Sequence, residues 1–255
     1  MLDENWKIDS NRSSYKKSGY TAGTFKNTEA FKKVFKMLES FHSSEDLPPG
    51  WFWESKYPNT LDLRPNVYNI DRSFLEIISE NSILEKLRYL TGISDLVLSH
   101  VQIRKSSKGP SYMDWHRDSY FVDGKQVGNN PSVHKLIFYP LLYGEESPKL
   151  QILAGSNSCQ LNFQDSKMMI GPGFSQFDGQ LMNFLPVDKY KSSSNKFLLF
   201  DTAALHGAIP DSDERGSIRI LYSFVTRDQF FEKYSSKDLH TEPYKILNEM
   251  IEEKE

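Results

Sequence analysis

The spacing of apolar residues changes after Gly92, and this change limits the folds that the chain can adopt. Before it, residues 27–42 place apolar side chains at helical spacing, which predicts an amphipathic helix. Residues 71–79 and 82–89 predict two further short helices. Residues 95–104 alternate with the period of a β-strand instead. Helices followed by strands indicate an α+β protein or a β-barrel with helical flanks, rather than a parallel sheet.

Further strand candidates follow the first one along the chain. They lie at residues 133–142, 149–153, 196–201 and 217–226, separated by clusters of Gly, Ser, Asn and Asp that suit turns. Residues 162–190 predict a long excursion from the sheets, of the kind that often forms a functional lid. Because all-β barrels of this length are commonly one domain, the 255 residues predict a single domain.

Charge and cysteine content limit the classes of partner. A formal net charge of −3 provides no general attraction to polyanions, so we expect no nucleic-acid and no membrane partner but a small-molecule substrate. Cys159 is the only cysteine, which excludes an internal disulfide and a cysteine-rich zinc site and predicts a cytoplasmic protein. The polar N-terminus and the lack of a long apolar run predict neither an export signal nor an anchor.

The segment Trp115-His116-Arg117-Asp118 is the first candidate for chemistry. On an extended chain His116 and Asp118 project from one face and can bind one metal ion, while Arg117 points the other way. Alone this pair is a weak signal, since His-x-Asp also occurs by chance. Iron(II) oxygenases need a second histidine, and His206 follows a predicted strand and precedes a glycine. A catalytic zinc ion can use the same three ligand types, so the ligands by themselves leave the metal open.

Arg219 is the second candidate, because it lies within a run of bulky residues where a cation needs an anionic partner. A ligand carboxylate fits the two-pronged guanidinium, and Ser223, on the same strand face, could add a hydroxyl hydrogen bond. A structural ion pair with a distant acidic residue is the alternative. Arg215 is a rival, but its turn-like, acidic surroundings indicate solvent exposure.

Four other side chains are candidates for the remainder of the site. Gln102 and Arg104 share a strand face, so Gln102 could hydrogen-bond an oxo-acid and Arg104 an anionic substrate group, unless this face is solvated. Trp115 and Tyr120 flank the metal motif and could pack a substrate, although core packing is the more frequent role of aromatic residues. We expect Lys135 to be an exposed lysine.

These motifs together resemble the phytanoyl-CoA dioxygenase family of iron(II) and 2-oxoglutarate oxygenases, over about residues 96–224. Residues 115–118 are similar to the family's proximal iron motif, and residues 150–157 to its strand that ends in a Gly-Ser turn. Residues 199–208 resemble the strand and distal-histidine segment, and Arg219 matches the cosubstrate arginine. The order of the four motifs agrees with the family.

The resemblance implies a mainly β fold, a double-stranded β-helix of the jelly-roll (cupin-like) type, in one domain spanning residues 1–255. Residues 1–92 would form a mainly helical flank, residues 93–228 the core, and residues 229–255 a helical tail. It also implies that His116, Asp118 and His206 bind Fe(II), and that Arg219 holds 2-oxoglutarate.

The implied activity is that of a dioxygenase, an oxidoreductase that uses O₂ and 2-oxoglutarate and releases succinate and CO₂. Hydroxylation of an unactivated C–H bond in a small organic substrate is the predicted reaction. Desaturation, epimerisation and ring formation by the same oxidant are alternatives, and so is a jelly-roll that binds a ligand without catalysis. The protein is expected to be a monomer or a homodimer.

Overall fold

The computed structural model describes residues 12–44, 47–64, 67, 70–109, 115–122, 125–129, 133–159, 174–176 and 183–229. The α-helices in these segments are α1 (Arg12–Ser18), α2 (Glu29–Ser43), α3 (Ser73–Glu80) and α4 (Ile83–Thr91). The strands are β1 (Tyr20–Thr24), β2 (Phe52–Tyr57), β3 (Thr60–Arg64), β4 (Leu96–Ser106), β5 (His116–Val122), β6 (Lys125–Asn129), β7 (His134–Phe138), β8 (Pro148–Leu153), β9 (Phe174–Gln176), β10 (Val187–Lys191), β11 (Lys196–Asp201), β12 (His206–Ala208) and β13 (Ser217–Thr226).

Helix α2 forms where the apolar spacing predicts it. The side chain of Thr28 caps its first turn by accepting a hydrogen bond from the backbone N–H of Phe31 at 3.2 Å. Its apolar face is buried, as predicted: Ala30, Phe31, Val34, Leu38 and Phe41. The two shorter helix predictions are confirmed as α3 and α4, and α4 ends at Gly92, whose φ of +78° favours glycine.

The strands form two antiparallel sheets. The larger sheet has the order β1-β11-β7-β13-β4-β3-β2, and the smaller one has the order β10-β8-β12-β5-β6, with β9 paired to β5. The bounds predicted for β11 and β13 are confirmed residue for residue. A mainly β protein of antiparallel sheets with a few helices is therefore observed.

Strand β13 is buried on both faces because it lies between two cores. One face packs with the helices in the main hydrophobic cluster, through Ile218, Ile220, Tyr222 and Phe224. The other face turns towards the smaller sheet, through Arg219, Leu221 and Ser223. A second cluster, which includes Ile137, Leu150, Ile152, Phe200 and Leu221, joins the two sheets. The sheets therefore face each other, and the helices cover the outer face of the larger one.

The expectation of a mainly helical flank over residues 1–92 is incomplete, because three of the strands lie there. Strand β1 pairs with β11 at one edge of the larger sheet, and β2 and β3 extend its other edge beyond β4. These strands are short. Pairing with β11 stabilises β1, and pairing with β4 stabilises the β2–β3 hairpin, and the local spacing of apolar residues reveals neither contact.

Two further expectations fall partly outside the described residues. In the predicted excursion over 162–190 the structure describes β9, residues 183–186 and most of β10, while residues 160–173 and 177–182 lie outside the described segments. The predicted tail over 229–255 is described only at Gln229. Among the described segments we find no helix with the length and apolar character needed to span a membrane.

Candidate metal centre

His116, Asp118 and His206 meet at one point of the smaller sheet. The antiparallel pairing of β5 with β12 places His206 directly opposite His116, with ring centroids 4.4 Å apart. Nε2 of His116 is 3.7 Å from Oδ1 of Asp118, and Nε2 of His206 is 3.9 Å from Oδ2. One donor atom from each residue lies within 4.8 Å of the others. The structure thus brings together the three residues that the sequence nominates.

A tight turn between β11 and β12 sets the position of His206. A carboxylate oxygen of Asp201 accepts a hydrogen bond from the backbone N–H of Ala203 at 2.9 Å. The backbone N–H of Leu205 donates to Oγ of Ser156 at 2.7 Å. These contacts hold the turn from both sides, directly before the histidine.

The Gly155-Ser156 turn at the end of β8 supports the segment before His206. Gly155 has a φ of +85°, which glycine adopts without strain, and the turn that it forms buries Ser156 completely. Arg117 donates to the backbone carbonyls of Ser156 and, at 3.0 Å, of Cys159. It therefore points away from the ligand face, as predicted, and ties the proximal motif to the turn that supports His206.

The imidazole of His206 has a defined proton arrangement. Its Nδ1 lies 2.9 Å from the carbonyl oxygen of Ala204, so Nδ1–H donates there and the Nε2 lone pair faces Asp118. Burial lowers the pKa of this ring, although the charge of Asp118 acts in the opposite direction. A neutral ring with a free Nε2 is the form that binds a metal ion.

The Asp118 carboxylate is kept ionised despite its burial. Burial alone would raise its pKa, but the positive charge of Lys135, helped by His206 and His116, holds the pKa well below its usual range. Nζ of Lys135 lies 2.5 Å from Oδ2 of Asp118. The expectation that Lys135 is an exposed lysine is therefore wrong. Strand alternation with Ile137 could have assigned it to the inner face.

The donor set fits a divalent metal ion. Two imidazole nitrogens and one carboxylate oxygen on one side of the ion form the arrangement that non-haem iron(II) sites use. A catalytic zinc site can share these ligand types. Each of the three side chains is largely buried.

A cavity between the two sheets starts at this triad and reaches Arg219. Its described walls come from β4, β5, β7, β8, β11, β12 and β13, so both sheets contribute. The predicted residues Gln102, Arg104, Arg219 and Ser223 all line it. The metal ligands and the predicted cosubstrate arginine therefore share one cavity.

Arg219 is a buried cation, with only 5 % of its surface exposed. Its guanidinium donates to Oγ of Ser106 at 2.9 Å and lies 5.5 Å from the centre of the Tyr139 ring. Burial lowers the pKa of Arg219. No carboxylate in the described part of the chain lies within ion-pair distance of it, although the negative charges of Asp62 and Asp211 act against the lowering of its pKa.

Asp62 organises the wall beside Arg219. It accepts two hydrogen bonds from Arg104, at 2.5 and 2.9 Å, and one from Nε2 of Gln102 at 2.9 Å. The charge of Arg104 is therefore paired within the wall, and its proposed contact with a substrate stays a prediction. Sequence reasoning missed Asp62 because β3, which carries it, was not predicted.

The remaining predicted residues differ in position. Ser223 is buried, and its Oγ has no hydrogen-bond partner among the described residues. Trp115 lies half-buried in a bend before β5 and is not among the described residues that line the cavity. Tyr120 belongs to β5, but its side chain falls outside the described parts. The substrate roles of Trp115 and Tyr120 stay predictions.

Asp201, in the turn before His206, predicts a pH effect on stability. Burial raises its pKa from 3.8 to about 6, so its stabilising contribution is complete below pH 3.8 and is lost as the pH rises through about 6. The free energy of unfolding of Asp201→Asn should therefore exceed that of the wild type by up to about 3 kcal/mol at pH 7. At pH 3.5 the two free energies should be equal.

Urea unfolding between pH 3.5 and 7.5 would measure this effect. Burial lowers the pKa of His134 to about 4, so His134 changes the stability with pH in the opposite direction. Both proteins contain His134, so the difference between the stability curves of wild type and Asp201→Asn reports Asp201 alone. Asp95→Asn, which removes an exposed carboxylate, is the matched control. Parallel curves for wild type and Asp201→Asn would contradict the prediction.

Comparison with known proteins shows similarity in structure but not in sequence. No protein-family model matches the chain, so its resemblance to the phytanoyl-CoA dioxygenase family stays a prediction. No curated protein is significantly similar to it either.

Several solved structures share the fold. The epimerase SnoN, in complex with Fe³⁺, alpha ketoglutarate and nogalamycin RO, matches with a TM-score of 0.59 and 11 % identity over 84 % of this chain and 82 % of SnoN. HygX from Streptomyces hygroscopicus, with nickel and 2-oxoglutarate bound, matches with a TM-score of 0.60 and 15 % identity over 87 % and 88 %. AviO1 from Streptomyces viridochromogenes matches with a TM-score of 0.57 and 13 % identity over 88 % and 97 %. The chain therefore shares its fold with these three proteins, of which SnoN and HygX were solved with a metal ion and 2-oxoglutarate.

Proposed function

We propose that this chain is an Fe(II)- and 2-oxoglutarate-dependent dioxygenase whose metal ligands are His116, Asp118 and His206. The observation that carries the proposal is the buried Arg219 in the same cavity as the triad, without a carboxylate partner in the described part of the chain. 2-Oxoglutarate has a carboxylate at each end, so its keto-acid end would bind the metal while its far carboxylate pairs with Arg219. This pairing favours iron over zinc.

The same proposal covers the finer description of the fold. The two facing sheets would be the layers of a double-stranded β-helix, with the metal between β5 and β12. Among Fe(II)/2-oxoglutarate oxygenases, the order of the motifs along the chain favours the phytanoyl-CoA dioxygenase family. Comparable folds in SnoN and HygX support the broader assignment.

Iron, 2-oxoglutarate and O₂ would supply an oxidant strong enough for an unactivated C–H bond, with release of succinate and CO₂. The residues that line the cavity would bind and shield the reactants. The apolar cavity wall, which includes Ile137, Leu150 and Leu221, would limit the access of water. Ser223 would offer a hydroxyl hydrogen bond to a bound oxo-acid, and Gln102 would offer the amide hydrogen that it does not donate to Asp62. Hydroxylation of a small organic molecule is the reaction that we propose.

Epimerisation is the second candidate, because SnoN is described as an epimerase and has a comparable fold. Desaturation and ring formation would use the same metal ligands and the same Arg219. A jelly-roll that only binds a ligand would need no catalytic residue. Mass spectrometry of the product separates these outcomes. Hydroxylation adds one oxygen atom, epimerisation leaves the mass unchanged, and desaturation or ring formation removes two hydrogen atoms.

Anaerobic titration with Fe(II) and then 2-oxoglutarate tests the proposal directly. We expect a weak visible charge-transfer band in the wild-type protein, because the oxo-acid and the metal would bind each other within the cavity. Absence of the band in wild type and in Arg219→Ala alike would overturn the oxygenase proposal. Zinc-loaded protein should give no band and serves as the control.

A further inference from the structure

Lys135 links the larger sheet to a metal ligand of the smaller one. It lies on β7, while Asp118 lies on β5, and its Nζ reaches Oδ2 of Asp118 at 2.5 Å. The side chain of Lys135 is 22 % exposed, and Asp118 is its only ion-pair partner among the described residues. A long cationic side chain thus crosses the cavity to end on one oxygen of a candidate ligand.

The triad by itself does not decide how many oxygens Asp118 offers to a metal ion. Oδ1 is 3.7 Å from Nε2 of His116, and Oδ2 is 3.9 Å from Nε2 of His206. The carboxylate therefore presents both of its oxygens to the two imidazoles at similar distances. Carboxylates bind metal ions through one oxygen or through both.

The number of oxygens matters for the chemistry. Two imidazoles and one carboxylate oxygen leave three positions of a six-coordinate ion for a bidentate oxo-acid and O₂. A carboxylate that binds through both oxygens would occupy one of these three positions. A group that holds the second oxygen would keep this position open.

We propose that Lys135 is a positioning residue that holds Oδ2 of Asp118, so that the metal ion receives Oδ1 alone and a third position stays open. The inference rests on the proposed function for its consequence, but the contact itself is independent of it. Lys135 also adds a positive charge to the cavity, beside the dianionic cosubstrate. Two opposite effects follow when Lys135 is replaced.

Lys135→Met should bind Co(II) about tenfold more tightly than wild type, because the ion no longer competes with an ammonium group and gains a second oxygen. The Co(II) form of the variant should bind 2-oxoglutarate about tenfold more weakly, since a position is filled and a positive charge is lost. Competition with a chromophoric chelator measures the first constant, and calorimetry measures the second.

Infrared difference spectra of protein labelled with ¹³C-carboxyl aspartate separate positioning from a simple charge effect. The two carboxylate stretches of Asp118 should be widely separated in wild type, as in single-oxygen ligation, and closer together in Lys135→Met. Lys135→Arg keeps the cation and should restore the wild-type spectrum. Lys189→Met, at an exposed position of β10, is the matched control and should leave both constants unchanged.

Each outcome decides one of the two proposals. Equal or weaker Co(II) binding by Lys135→Met, or an unchanged separation of the stretches, would overturn the role of Lys135. A wild-type Co(II) form that does not bind 2-oxoglutarate would overturn the proposed function instead. In that case the Co(II) constants and the spectra still test whether Lys135 positions Asp118.

Discussion

His206→Ala should lose Fe(II) binding and all turnover of 2-oxoglutarate. The ring is buried, its Nδ1 is fixed by the carbonyl of Ala204, and no other described histidine or carboxylate completes the cluster with His116 and Asp118. Changes to residues that only support metal ligands cost about 10- to 100-fold in affinity, so removal of a ligand should cost at least about 100-fold. Competition for Co(II) with a chromophoric chelator measures the loss without any need for a substrate.

The folding of this variant needs a separate control. His42 lies at the end of α2, outside the cavity, and His42→Gln should bind the metal like the wild type. Circular dichroism and thermal melting should show that both variants remain folded. The expected loss of at least about 100-fold corresponds to about 2.8 kcal/mol, since tenfold is about 1.4 kcal/mol. If His206→Ala instead binds Co(II) within about threefold of the wild type, a different residue is the third ligand.

Arg219→Met should bind 2-oxoglutarate about 100-fold more weakly while its affinity for Co(II) is unchanged. Loss of one partner of a buried, charge-assisted pair costs about 3 kcal/mol, which corresponds to about 100-fold. The effect is confined to the cosubstrate because Arg219 contacts Ser106 and Tyr139 rather than the triad. Titration of the charge-transfer band under anaerobic conditions gives the affinity for 2-oxoglutarate.

The ligand-free variant should at the same time be more stable than the wild type. A cation that is 5 % exposed and has no described carboxylate partner destabilises the folded state, and an apolar side chain of similar length removes that cost, by about 1 kcal/mol or more. Thermal melting without 2-oxoglutarate measures the gain. A variant that is less stable and binds 2-oxoglutarate normally would show that Arg219 is structural.

Two other arginine variants sharpen this comparison. Arg215, the rival in the sequence, is exposed and paired with Asp213 in a turn, so Arg215→Met should bind 2-oxoglutarate like the wild type. Arg219→Lys keeps the charge but loses the two-pronged geometry, and its affinity should lie between those of wild type and Arg219→Met.

Local patterns of residues were sufficient for several parts of this protein. Helix α2 and strands β11 and β13 follow from the spacing of their apolar side chains, because burial of one face or both requires that spacing whatever the partner is. The two-residue spacing of His116 and Asp118 likewise places both on one strand face without knowledge of the partner strand. Arg219 stood out because a cation within an apolar run requires an anionic partner.

The partners of these residues depended on the tertiary structure. Pairing of β12 with β5 sets His206 opposite His116, and the turn at Ser156 fixes that register. The contact of Lys135 with Asp118 crosses from one sheet to the other, and the pairing of Arg104 with Asp62 joins distant parts of the chain. Such contacts depend on how sheets pack and on which edges pair, and the periodicity of one segment carries no information about either. The sequence by itself thus determined which side chains could bind a metal ion and an anion, while the packing of the two sheets decided which charges remained available for them.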